Sequence, residues 1–205
     1  PVEVLYNTNE SEKIKKLSDE KVNDVDFSKD IINIISVAKI VPSKGYDRLM
    51  KIHKKLIEKN IKNHIYILGI GEEKEKYEKY LAENNLTDTF TFLGYRDNPY
   101  KYVKKADLYV CSSHSEGFST SVTESLVVGT PVVTTLCSGM TELLGENNEY
   151  GIVTENNEDA LYEGIKKMLT TPDLLEAYAA KAKERGKAFS TEKTVKAVEE
   201  MLSAL

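Results

Sequence analysis

The stretch SEGFSTSVTE at 115–124 sets two carboxylates, Glu116 and Glu124, on either side of a turn of small, hydroxyl-bearing residues. An ionised carboxylate accepts two charge-assisted hydrogen bonds, which suits it to gripping sugar diols. With Gly117 breaking the helix, Glu116 stays in a loop and Glu124 falls in the first helical turn, with the N–H groups around Ser119 to Ser121 between them. Helix starts carry unpaired N–H groups and the positive end of the helix dipole, so they attract phosphate. A diphosphate seated there would leave an acid on each side for the hydroxyl-rich groups attached to it. A nucleotide sugar has that layout, ribose on one side and hexose on the other. The plainer alternative is a capping box in which Ser121 caps the helix and Glu124 reaches back to its backbone, with Glu116 an exposed loop acid.

Two lysines offer the counter-charge. Lys39 and Lys44 flank IVPS, and a turn through that proline brings both ammonium groups to one anion. Unit charges about 4 Å apart attract by about 4 kcal/mol at an effective dielectric near 20, against about 0.3–1 kcal/mol for a helix terminus. The lysines would therefore dominate the hold on a phosphate, the alternative being ordinary surface lysines in a lysine-rich chain. GIGEE at 69–73 invites a dinucleotide reading, but the third glycine of that fingerprint falls at Lys74 and two glutamates would repel a pyrophosphate. His114 reads as a loop residue near the turn. Cys111 and Cys137 sit at apolar positions without metal-ligand spacing, as reduced structural thiols do.

These groups need elements to position them. Six apolar, β-branched runs, at 31–38, 64–69, 89–94, 107–113, 130–135 and 151–155, read as strands covered on both faces. Amphipathic stretches at 45–59, 73–84, 98–105, 119–128 and 157–169 alternate with them, and in the first of these Leu49, Ile52, His53 and Leu56 share a face. Such alternation predicts an α/β fold: a Rossmann-like, doubly wound parallel sheet of about six strands, with right-handed crossovers. In that architecture the loops after the strands meet along one edge, and the lysine turn and the acid-flanked turn both follow strands.

The whole of 1–205 reads as one domain. Residues 1–30 are expected to form a lead-in with a short strand at VEVLY and one helical turn, and 171–205 extra C-terminal helices with Thr171 and Ser190 as N-caps and Pro172 at a first helical position. A formal charge of −5 with 30% charged residues gives no basic face for nucleic acid. Lysine clusters such as KIKK at 13–16 fit solvated helix faces. No apolar run approaches the roughly 20 residues that span a bilayer. The chain begins inside a strand pattern without methionine, and is expected to be a piece of something longer.

In these residues the chain resembles retaining glycosyltransferase family 4, the GT-B-fold enzymes. EGFSTSVTE is similar to the family's E-x7-E motif, SVAKIVPSKGYDRLM to its phosphate loop, TFTFLGYRDNPYKYVKKADLYVCSSHSEGF to the base-side strand and the approach to the motif, and ESLVVGTPVVTTLCSGMTELL to the segment after it. The likeness runs in order from about residue 31 to 155 and implies the C-terminal half of a GT-B fold, the donor-binding domain, with the N-terminal acceptor domain absent. It implies transfer of a hexose from a nucleotide diphosphate sugar, metal-independent and without a cofactor, in bacterial cell-surface polysaccharide or glycolipid synthesis. The setting implied is cytoplasmic, at the inner face of the plasma membrane, with membrane contact made through the missing domain. Residue by residue, the resemblance makes Glu116 the acid at the transferred sugar, orienting rather than attacking it, and Glu124 the acid at the ribose. Gly117, Phe118, Ser119 and Thr120 match the backbone that meets the sugar and diphosphate, and Gly94 and Tyr95 the turn bordering the base. Lys44 matches the phosphate-binding lysine, and Lys39 stands where the family often has arginine, keeping the charge but losing the bidentate fork. A sugar-nucleotide epimerase half of similar architecture and a non-catalytic α/β binding module are the alternatives.

Overall fold

The computed structural model describes residues 10–203, apart from the side chains of Ala197 and Leu202. The expected VEVLY strand lies outside the described residues. Each apolar run becomes a strand: β1 Ile32–Val37, β2 Asn63–Leu68, β3 Phe90–Gly94, β4 Leu108–Cys111, β5 Val132–Thr135 and β6 Ile152–Thr154. All neighbours pair in parallel, in the order β3-β2-β1-β4-β5-β6, which is the Rossmann order.

The helices are α1 Ser11–Ser18, α2 Tyr46–Glu58, α3 Lys74–Glu83, α4 Tyr100–Lys105, α5 Thr120–Val128, α6 Met140–Leu144, α7 Glu158–Thr170, α8 Leu174–Gly186 and α9 Thr191–Ser203. Side chains alternate across a strand, so each strand feeds two cores. Ile34, Ile65, Ile67, Val110 and Val133 pack on one face under α2, α3 and α7. Ile35, Tyr66, Leu68, Tyr109 and Val132 pack on the other under α4, α5, α6 and α8. Near-continuous apolar strands are the consequence of this two-sided burial. The predicted face of α2 is correct, with Leu49, Ile52, His53 and Leu56 all fully buried. His53 is accommodated there by Asn63 Oδ1 at Nδ1 (2.9 Å) and Thr89 Oγ1 at Nε2 (2.8 Å), and burial lowers its pKa to about 4, so it stays neutral.

Three expectations change. The lead-in holds an eight-residue helix, α1, rather than one turn, because it packs on α4 and α5, where Ile14 is buried. α6, between β5 and β6, was not anticipated from its short span. Thr171 does not cap α8: its N–H closes the last turn of α7 on the Lys167 carbonyl, Pro172 lies in the intervening turn, and Asp173 in the left-handed region precedes the helix. Ser190 does cap α9, its Oγ accepting from the Lys193 N–H at 3.3 Å. α8 packs on the domain, with Ala182 fully buried.

Candidate functional site

The strand order reverses at β1, which pairs with β2 on one side and β4 on the other, so the connections after β1 and β4 diverge and leave a crevice at their carboxyl ends. After β1 the chain makes a short 3₁₀ turn, Pro42–Lys44, then passes through Gly45 at φ +64° into α2. That conformation suits glycine, and so does the space: a Cβ on Gly45 would sit 2.1 Å from the Ser112 carbonyl oxygen. The two connections are stitched together there. Ser112 Oγ donates to the Lys44 carbonyl at 2.9 Å, and the His114 N–H donates to the Ser43 carbonyl at 2.8 Å.

This stitching brings Lys44 to Glu116. Lys44 Nζ lies 2.7 Å from Glu116 Oε1, with the two side chains 23% and 13% exposed. Ser113 Oγ donates to the same oxygen at 2.6 Å. Partial burial keeps such a pair from being screened as a surface ion pair would be. His114 is exposed, its Nε2 3.7 Å from Asp47 Oδ1.

α5 starts one residue after Ser119, which is its N-cap: Ser119 Oγ accepts from the Val122 N–H at 3.3 Å. The capping-box expectation with Ser121 is therefore corrected, and Glu124 lies in the second turn rather than the first, too far along to reach back to the cap. Glu124 instead accepts from Tyr100 Oη at 3.3 Å. Ahead of the helix, Gly117 is exposed, with no atom of the described residues other than its chain neighbours within 4 Å of where a Cβ would stand, and Phe118 is half-buried against the core. The first N–H groups of α5, at Thr120 and Ser121, have no carbonyl of their own helix to bond and face the end of the sheet where ligands bind in this architecture.

Burial raises the Glu124 carboxyl above its ordinary value of 4.5, the Tyr100 hydrogen bond offsetting part of the rise. A folded-state pKa above the unfolded one means that the folded protein binds the proton more tightly. The stability this confers is fully present below the unfolded value and is lost as pH rises through the folded pKa. Glu124→Gln is thus expected to be at least as stable as the native chain at pH 7, with the difference shrinking towards pH 4. Urea unfolding at several pH values checks it, and a variant clearly less stable than native at pH 7 would contradict it.

Lys39 does not join the Lys44–Glu116 contact. It is exposed and lines a neighbouring cavity of about 450 Å³ with Ala38, Leu68, Ile70, Tyr95, Pro99 and Tyr100. Gly94 ends β3, and Tyr95 and Ile70 stand exposed at the cavity rim. Tyr100 joins this cavity to Glu124. So Lys44 and Glu116 touch, while Lys39, Tyr95 and Glu124 gather around Tyr100. Sequence reasoning missed Ser113, Ile70 and Tyr100; only the hydroxyl-rich run before Glu116 hinted at the first. A cavity of about 470 Å³ lies by the amino ends of the strands, among Lys62, Lys105 and Asp107. It is the larger space, but it lies at the end of the sheet away from the crevice and the helix start.

GIGEE serves packing. A Cβ on Gly71 would meet the Ile40 carbonyl at 2.1 Å, and the Ile40 N–H bonds the Ile70 carbonyl, so the glycine permits close approach of the β1 and β2 connections. Cys111 is buried and Cys137 half-buried, both free thiols. Among the described residues no group of three or more His, Cys, Asp and Glu side chains is placed to hold a metal ion, and no helix is long and apolar enough to cross a membrane.

Residues 18–185 match the family model described as glycosyl transferases group 1. The chain belongs to that family. It is 36% identical, over 191 residues, to the N-acetylgalactosamine-N,N'-diacetylbacillosaminyl-diphospho-undecaprenol 4-alpha-N-acetylgalactosaminyltransferase of Campylobacter jejuni, covering 91% of this chain and 49% of the relative. It is 26% identical to the poly(ribitol-phosphate) alpha-N-acetylglucosaminyltransferase of Staphylococcus aureus, over 72% of this chain and 30% of the relative. The fold is that of Anabaena HepE in complex with UDP and glucose, at a TM-score of 0.78 and 18% identity, covering 99% of this chain and 57% of HepE. This group 1 chain spans about half the length of the first of these relatives or less.

Proposed function

We propose that this chain is the C-terminal, donor-binding domain of a retaining glycosyltransferase of family 4. The full protein transfers a hexose from a nucleotide diphosphate sugar to an acceptor in bacterial cell-surface polysaccharide or glycolipid synthesis, on the cytoplasmic face of the membrane. An N-terminal domain supplies the acceptor side of the cleft and the membrane contact. The observation that carries this reading is the Lys44–Glu116 contact beside the start of α5, at the point where the strand order reverses.

In the proposed reaction an acceptor hydroxyl oxygen bonds to the anomeric carbon as the bond between that carbon and the diphosphate oxygen breaks; the hydroxyl proton passes to the departing diphosphate, on which negative charge grows during the step. Fixed positive groups that meet this charge lower the barrier. An ammonium has three donors; Glu116 takes one from Lys44 and leaves two for phosphate oxygens. Lys39 and the N–H groups of Thr120 and Ser121 add to the neutralisation, with no metal in the step. Glu116 orients the sugar by accepting from its hydroxyls and Glu124 holds the ribose, while the base lies over Gly94 and Tyr95. The group 1 family membership supports glycosyl transfer, and the UDP in HepE makes UDP the first nucleotide to test.

Calorimetric titration of the chain with UDP, GDP and ADP tests the reading. One nucleotide is expected to bind saturably, and Glu124→Ala is expected to weaken it by roughly tenfold to a hundredfold through loss of a charged hydrogen-bond acceptor. Binding of none of the three, or binding indifferent to Glu124, would overturn it.

A further inference from the structure

Resting on the donor-site reading, we infer that Ser113 is a positioning residue which, with Lys44, clamps Glu116 through Oε1 and leaves Oε2 alone to accept from the transferred sugar. Both strong donors meet one oxygen: Ser113 Oγ at 2.6 Å and Lys44 Nζ at 2.7 Å. The Cys111 thiol lies 3.9 Å from that same Oε1. Two lone pairs facing two strong donors leave Oε1 no capacity for a substrate hydroxyl. Oε2 takes no protein donor among the described residues.

Ser113 is built to do this. It is 2% exposed, and its carbonyl is held by Thr135 Oγ1 at 2.6 Å and by the Cys137 thiol at 3.5 Å. Its hydroxyl accepts from the Cys111 thiol at 3.5 Å, which directs its own hydrogen to Glu116. Burial pushes the Cys111 thiol up, keeping it protonated and therefore a donor. The hold on Glu116 thus extends through β4 to β5, the next strand in the sheet, rather than ending in a mobile loop.

The clamp predicts a split between two ligands. Glu116 meets the sugar, so Ser113 matters for a UDP-sugar and hardly for UDP. The experiment titrates the chain with UDP and with UDP-glucose, UDP-N-acetylglucosamine and UDP-N-acetylgalactosamine, for native protein, Ser113→Ala and Ser113→Thr. The native chain is expected to bind one UDP-sugar more tightly than UDP. Ser113→Ala is expected to lose roughly tenfold in affinity for that sugar nucleotide while UDP affinity changes by less than about twofold, and Ser113→Thr, which keeps the hydroxyl, to retain the preference. The UDP titration also shows that each variant is folded. A preference that survives in Ser113→Ala, equal losses for both ligands, or a native chain indifferent to the sugar would each overturn the inference. Failure of the native chain to bind any uridine nucleotide would instead overturn the UDP-sugar site itself, and the inference with it.

Discussion

Lys44→Ala is expected to weaken nucleotide binding by roughly a hundredfold, equivalent to about 3 kcal/mol. Two losses combine. The phosphate loses its nearest cation, and Glu116, whose side chain is only 13% exposed, is left as an uncompensated negative charge beside the diphosphate. The change therefore converts attraction into repulsion, which removal of the exposed Lys39 does not. Calorimetry with UDP measures the effect, with Lys44→Arg as companion: the retained charge keeps most of the affinity although the planar fork fits differently. A Lys44→Ala chain that binds UDP within about threefold of native would remove Lys44 from the site.

A large effect on stability is expected at Gly45. Gly45→Ala forces a side chain into the left-handed region at φ +64°, at a cost of about 1–2 kcal/mol, and drives its Cβ to 2.1 Å from the Ser112 carbonyl oxygen. That oxygen is backbone, fixed by the neighbouring stitch of Ser112 Oγ to the Lys44 carbonyl, so it cannot swing aside as a long side chain would. A total loss of about 3 kcal/mol follows, lowering Tm by roughly 10 °C in a chain of this size. Because the same stitch delivers Lys44 to Glu116, nucleotide binding falls with it. Thermal unfolding followed by circular dichroism is the check, and a fall in Tm under about 2 °C would contradict it.

The sheet was legible because burial on both faces writes itself into each strand as a continuous apolar run, and because six such runs alternate with amphipathic helices. Ile34 and Ile35 illustrate why: adjacent residues, both fully buried, in opposite cores. Boundaries were less legible where one residue type suits two roles. Ser119 and Ser121 are both good caps, and only the extended backbone at Ser119 settles which one starts α5. Thr171 and Pro172 read equally well as the end of one helix or the start of the next.

At the site, Glu116, Glu124, Lys44 and Lys39 stood out by type and spacing. Which of them meet did not, since most of these contacts join segments far apart in the chain. Tyr100 lies 24 residues before Glu124 and meets it only because α4 and α5 pack side by side. Lys44 and Glu116, 72 residues apart, meet only because β1 and β4 are neighbours in the sheet. The separation of Lys39 from Lys44 has the same origin: one faces the cavity by β2 and β3, while the other is drawn across to β4 by Glu116.

A crystal structure of this chain soaked or grown with UDP tests the central claim most directly. The diphosphate is predicted to lie on the N–H groups at the start of α5 within hydrogen-bonding reach of Lys44 Nζ, with the ribose hydroxyls on Glu124 and the uracil over Gly94 and Tyr95. Nucleotide found instead at the other end of the sheet, in the cavity beside Lys62 and Lys105, or bound with Lys44 and Glu124 both untouched, would contradict it.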